Sequence, residues 1–165
     1  MSKSNVFTKC FGNISIDIDD DGHGDIFASY NDQEINIFLC NYNVYREKAK
    51  TCLMIIDKYK EINDIAKKTI MDNFIKNETV KYYFEHNFKI LEEEQLMEIF
   101  GVNNFRDIEI KNIVDKLKYP NLIFVIENNE ITISVDYKIS KEYSNEILCV
   151  KMDERLNVIN ITHEI

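Results

Sequence analysis

The densest run of chemistry-bearing side chains surrounds Gly22-His23-Gly24, where Asp17, Asp19, Asp20, Asp21 and Asp25 crowd a single short segment. Alternating carboxylates followed by glycine, as in Asp17-x-Asp19-x-Asp21-Gly22, open the loops that hold calcium, because each oxygen is a hard ligand and the glycine permits a sharp bend. The rest of such a loop is missing. The position at which a bidentate glutamate closes the shell is Ala28, and the flanking residues alternate like strands rather than helices. The segment therefore reads as an acidic hairpin, Asp17 to Asp25, with Asp32 and Glu34 beside it. Such a surface suits a cationic partner and predicts neither a metal site nor a cofactor.

The other reactive side chains are scattered. His23, His86 and His163 fall in unlike contexts, with no H-E-x-x-H pattern; their convergence in space stays open, and His86 reads as a partly exposed, solvated side chain. Glu85 and His86 are neighbours on a predicted helix, where adjacent residues point about 100° apart and do not face each other. There is no G-x-S-x-G elbow, P-loop or G-x-G-x-x-G, and the one glycine-rich stretch is ringed by carboxylates that repel phosphate. No catalytic residues are assigned. Cys10, Cys40, Cys52 and Cys149 show no C-x-x-C pair. They read as free, inert thiols of a reducing compartment, apart from Lys9 beside Cys10 and Lys50 near Cys52.

Composition narrows the class further. A chain of 165 residues with 45% apolar and 30% charged residues, one Pro and four Gly is globular. At that length one domain, residues 1–165, hides about 70% of its unfolded surface without staples. Met1 to Gly12 has Lys3 and Lys9 but no apolar h-region, and reads as a loosely ordered segment rather than a signal peptide. No run of ~18 apolar residues predicts a membrane span. A net charge of −9 repels phosphate backbones and anionic lipids, which argues against nucleic acid and membrane; it serves solubility in the plainer reading and a basic protein partner in the sharper one.

These side chains need a scaffold, and the hydrophobic period supplies one. Ile14, Ile16 and Ile18, then Ile26, Ala28 and Tyr30, then Ile35, Ile37 and Leu39 alternate with polar residues, predicting an N-terminal three-stranded meander. The middle shifts to helical spacing. Ala49 to Tyr59 and Ile62 to Phe74 form two helices broken at Asn63-Asp64; Val80 to Leu91 form a third after Thr79; Glu92 to Phe100 a fourth, closed by Gly101; and Asn104 to Leu117 a last one, ended by Pro120. Leu122 to Ile126 is continuously apolar, as in a strand covered on both faces. Ile131 to Ile139, Ile147 to Met152 and Val158 to Thr162 complete a C-terminal four-stranded meander, with a tight turn at Asn128-Asn129. Strands, then four to five helices, then strands give an α+β fold whose helices pack on one face of an antiparallel sheet. Tyr42, Tyr45, Tyr82, Tyr119 and Tyr143 lie outside the core stripes and can stand at a surface or at the core's edge.

From about Val80 onward the chain resembles an uncharacterised family of small acidic bacterial α+β domains. The likeness rests on Tyr83-Phe84-Glu85-His86, Phe100-Gly101-Val102, Val135-Asp136-Tyr137-x-Ile139-Ser140-x-Glu142 and Glu146-Ile147-Leu148-Cys149-Val150-Lys151-x-Asp153. It departs at Ser144-Asn145, where a Thr-Asp pair is expected, and at His163-Glu164. The resemblance implies a fold and a cytoplasmic location, and no activity. Two classes of function follow. One is an acidic binding module that neutralises a basic protein, as the immunity proteins of bacterial nuclease toxins do. Its interface would be Asp17, Asp19, Asp20, Asp21 and Asp25, with Asp32 and Glu34. The other is an enzyme or small-ligand protein with a site assembled from distant residues, such as Glu85, His86, Asp136 and Tyr137. A deep pocket holding His86 against a carboxylate would mark the second; a flat acidic face with exposed aromatics would mark the first.

Overall fold

The computed structural model describes residues 2–44 and 46–165, with the side chains of all but Arg46, Phe105 and Tyr119. Within them the protein is α+β. Strands β1 (Ser2–Thr8), β2 (Gly12–Ile18), β3 (Gly24–Tyr30) and β4 (Gln33–Cys40) precede helices α1 (Arg46–Ile56), α2 (Tyr59–Asn73), α3 (Glu78–Ile90), α4 (Glu93–Phe100) and α5 (Ile110–Asp115). Strands β5 (Lys118–Glu127), β6 (Glu130–Lys138), β7 (Ile147–Asp153) and β8 (Val158–Glu164) follow. The eight strands form one sheet in sequential order, antiparallel throughout except where β4 meets β5. That parallel step goes with the helices: the chain leaves β4, forms the whole helical block and re-enters alongside, the long crossover that parallel neighbours require.

Several boundaries differ from expectation for identifiable reasons. Ser2–Thr8 is a strand paired along its length with β2, from Ser2↔Ile18 to Thr8↔Gly12. Its sequence carries no alternating apolar set, so the N-terminal meander has four strands where the period shows three. The break between the first two helices falls at Asp57-Lys58, and α2 runs straight through Asn63-Asp64. Asn63 is held there because its side chain accepts a hydrogen bond from the buried Tyr137 hydroxyl at 2.6 Å. The last predicted helix shrinks to a 3₁₀ turn (Phe105–Asp107) and the short α5. Ile108 and Ile110 are two residues apart, a step no single helical face accommodates.

The remaining ends follow local chemistry. Asn77 caps α3, accepting from the amides of Thr79 and Val80, and Glu92 with Gln95 forms a capping box on α4, which ends at Gly101 with φ 75°. Asn128 and Asn129 both take positive φ in the β5–β6 turn, the geometry a two-residue hairpin requires.

One parity of the strands forms the core. Ile14, Ile16, Ile26, Ile37, Leu122, Phe124, Val135, Tyr137, Leu148 and Val150 join one buried cluster with Ile56, Ile62, Ala66 and Ile70 from α1 and α2, and Tyr83 and Phe84 from α3. The opposite parity lies outside that cluster. Ile123 and Val125 on β5 are only half-buried, so β5 is not the doubly covered strand its apolar run predicts. On the same outward side Phe7 and Phe27 are 71% and 73% exposed.

Candidate functional site

The acidic residues separate into two groups. Asp17 and Asp25 stand directly opposite each other on β2 and β3, both on the outward side, and Asp17↔Asp25 and Ile18↔Gly24 are the only residue pairs joining these strands. Like charges so placed oppose pairing. Lys3, opposite Asp17 on β1, offsets one of them with an ion pair at 3.1 Å. Gly24 permits the close approach: a Cβ there would lie 2.9 Å from the Cγ2 of Ile16. Beyond it β2 and β3 diverge, and Phe11, Tyr30 and Tyr59 meet as a trio of rings with centroids 5.3–6.2 Å apart.

Asp19, Asp20 and Asp21 form the β2–β3 turn. Asp19 Oδ1 accepts from the amides of Asp21 (3.0 Å) and His23 (2.8 Å), while His23 Nδ1 accepts from the Asn41 amide at 3.0 Å. These bonds fix the turn on the adjoining β4 end and engage the Asp19 carboxylate within it, while Asp20 and Asp21 are exposed. Among the described residues no three of His, Cys, Asp and Glu are arranged to hold a metal ion. A shallow cavity of about 360 Å³ instead gathers Asp17, Asp19 and Asp25 around Phe27 and Lys3.

Asp32 and Glu34 belong elsewhere. They sit at the β3–β4 turn, and the seven residues of β3 put about 20 Å between the two turns. Their neighbours are Lys67 and Lys118 together with Asp115, so that end sets two cations against three carboxylates. The expectation that they lie beside the acidic hairpin is corrected by strand length.

The enzyme-like set is also redistributed. Glu85 is exposed on α3. Asp136 and Tyr137 are consecutive on β6 and face opposite sides of the sheet. His86, its side chain 34% exposed, joins Glu146, which precedes β7, and His163 on β8, so two of the three histidines converge in space. His86 Nε2 lies 3.3 Å from Glu146 Oε1, and His163 Nε2 contacts Glu146 Oε2. The Glu146 side chain is only 10% exposed and that of His163 13%. Tyr82 stacks on His86 with centroids 5.7 Å apart and also flanks His163, as does Tyr83. Ser144 Oγ positions the segment by accepting from the Glu146 amide at 3.1 Å.

A carboxylate gripping two imidazoles is an acid–base unit in composition, since each ring keeps a second nitrogen. The surroundings do not complete it. The adjoining depression, between Glu78, Thr79 and Tyr82 on one side and Asn160 to His163 on the other, is open. Burial pushes the thiols of Cys52 and Cys149 up to about 12 and also raises those of Cys10 and Cys40, away from the thiolate form that attacks.

Of the tyrosines set aside above, Tyr82 is 55% exposed and Tyr42 and Tyr143 are half-buried, Tyr143 donating to Glu98 at 2.9 Å. Tyr45 and the side chain of Tyr119 lie outside the described residues. His163 was the legible clue to the cluster: it shares the inward parity of Ile161, where a polar ring needs a partner.

No family model, curated protein or solved structure matches the chain. The likeness drawn from Val80 onward rests on the quoted residues alone. No helix among the described residues is long and apolar enough to cross a membrane.

Proposed function

We propose that this chain is an acidic protein-binding module whose partner is a basic protein, and that an immunity protein neutralising a nuclease-type toxin is the particular case. The observation that carries this reading is the corner where Asp17, Asp19 and Asp25 surround the exposed ring of Phe27. Carboxylates around a solvated aromatic combine what a docking surface needs: a field that steers a cation inward, and an apolar anchor that is desolvated on contact. A nuclease is basic because it grips phosphates, so an acidic inhibitor gains rapid association and competes for the same surface. The outward side of β1 and β3, where Phe7 and Phe27 are exposed, is the surface offered to the partner. Free thiols at Cys10, Cys40, Cys52 and Cys149 suit a reducing cytoplasm, which is part of the proposal.

The test is capture from the native cell with the wild-type chain, an Asp17→Asn/Asp19→Asn/Asp25→Asn variant, and an Asp32→Asn/Glu34→Gln control. A basic protein retained by the wild type and the control but lost by the first variant supports the proposal. A partner retained equally by all three removes this corner from the interface.

A second reading, an enzyme or small-ligand protein, is favoured by the His86–Glu146–His163 cluster. The two part on Glu146→Gln: as a binding module the chain loses stability but keeps its partner, whereas an enzyme built on this unit loses turnover of its substrate.

A further inference from the structure

A second cavity, also of about 360 Å³, opens among the end of α2, α3 and α5, and its chemistry is unlike the acidic corner. Its floor reaches the core. Phe84, Phe88 and Ile113 line it and are 1%, 8% and 3% exposed. Phe74 closes one side, its ring 4.8 Å from that of Phe84, which in turn stacks on Phe88 at 6.2 Å. The rim is cationic: Lys81 and Arg106 stand against the single carboxylate of Glu85, in a chain whose net charge is −9. A volume of this order is that of small-molecule pockets, which pair an apolar lining with a few placed polar groups.

We propose that this cavity binds an amphipathic monocarboxylate of the medium-chain fatty acid class. The alkyl chain lies along the Phe84–Phe88 wall and leaves water, and the carboxylate sits between Lys81 and Arg106, where charge-assisted hydrogen bonds are strongest. Two cations against one carboxylate at this apolar opening select an anion over a neutral or cationic amphiphile.

The test is a titration of the ¹⁵N-labelled full chain with decanoate, decanol and decyltrimethylammonium, followed by amide shifts. Expected is saturable decanoate binding that moves the amides of Phe84, Phe88 and Ile113, with decanol weaker and the cationic amphiphile weakest. Lys81→Gln/Arg106→Gln, at exposed positions, lowers decanoate affinity by about tenfold or more and leaves decanol unchanged. Ile75→Glu, at a mouth residue that is 75% exposed, weakens both. Absence of saturable shifts at these amides, equal binding of the cationic amphiphile, or an unchanged affinity in the double variant would overturn the proposal.

Discussion

Glu146→Gln is the perturbation that isolates the cluster of Glu146 with His86 and His163. The carboxylate meets both imidazoles through different oxygens, in a hydrogen bond with His163 and an ion-pair contact with His86 Nε2 at 3.3 Å, and its side chain is 10% exposed, so solvent screens it little. Glutamine keeps the shape but removes the charge and replaces one acceptor by a donor. A hydrogen bond to a charged group contributes about 1 kcal/mol more than a neutral one, so the pair predicts a loss of about 2 kcal/mol. For a chain of this length that corresponds to a fall in melting temperature of ~4–8 °C. Urea unfolding followed by circular dichroism reads the change, and a double-mutant cycle with His86→Asn isolates the pairwise part. A loss below about 0.5 kcal/mol, or a coupling indistinguishable from zero, would refute the view that Glu146 locks α3 to β8.

Two further outcomes follow from buried groups. Burial pushes the Asp136 carboxyl up, against an opposing hydrogen bond from Cys149. The folded chain therefore binds this proton more tightly than the unfolded chain: stability is greatest below the unfolded aspartate range, falls as pH rises through the raised value, and stays lowered above it. Asp136→Asn should raise the urea midpoint near neutral pH and flatten its dependence on pH over the acid range, while an unchanged profile would exclude Asp136 as the cause. Gly24→Ala, whose new Cβ would meet Ile16 at 2.9 Å and Leu39 at 3.5 Å, should cost about 1–3 kcal/mol because Ile16 is fully buried and has no room to retreat. A midpoint within error of wild type would show that the β2–β3 crossing is looser than this.

Local pattern carried much of the fold. The alternation of Ile14, Ile16 and Ile18, the stripe from Val80 to Phe88 and the Asn128-Asn129 turn each reflect constraints contained within a few residues, and the structure places strands, a helix and a hairpin there. What the period does not encode is pairing at a distance. Ser2–Thr8 becomes a strand because β2 offers it a hydrogen-bonding edge, not through its own apolar set. Asn63 stays helical because Tyr137, far along the chain, supplies its partner.

The site divides the same way. The acidic cluster was visible as composition, but the length of β3 removes Asp32 and Glu34 from it. The exposure of Phe27 beside those carboxylates depends on which side of the sheet its strand presents. Glu146 and His163 gave no motif because their meeting with His86 exists only once α3 packs on β8.

The central claim is that the Asp17–Asp19–Asp25 corner draws in a basic protein, and the association rate of the captured partner tests it most directly. Stopped-flow measurement across salt should show a wild-type rate that falls by at least about tenfold from low to high ionic strength, and a slower, flatter rate for the variant lacking the three carboxylates. Equal rates and equal salt dependence for the two chains would contradict it.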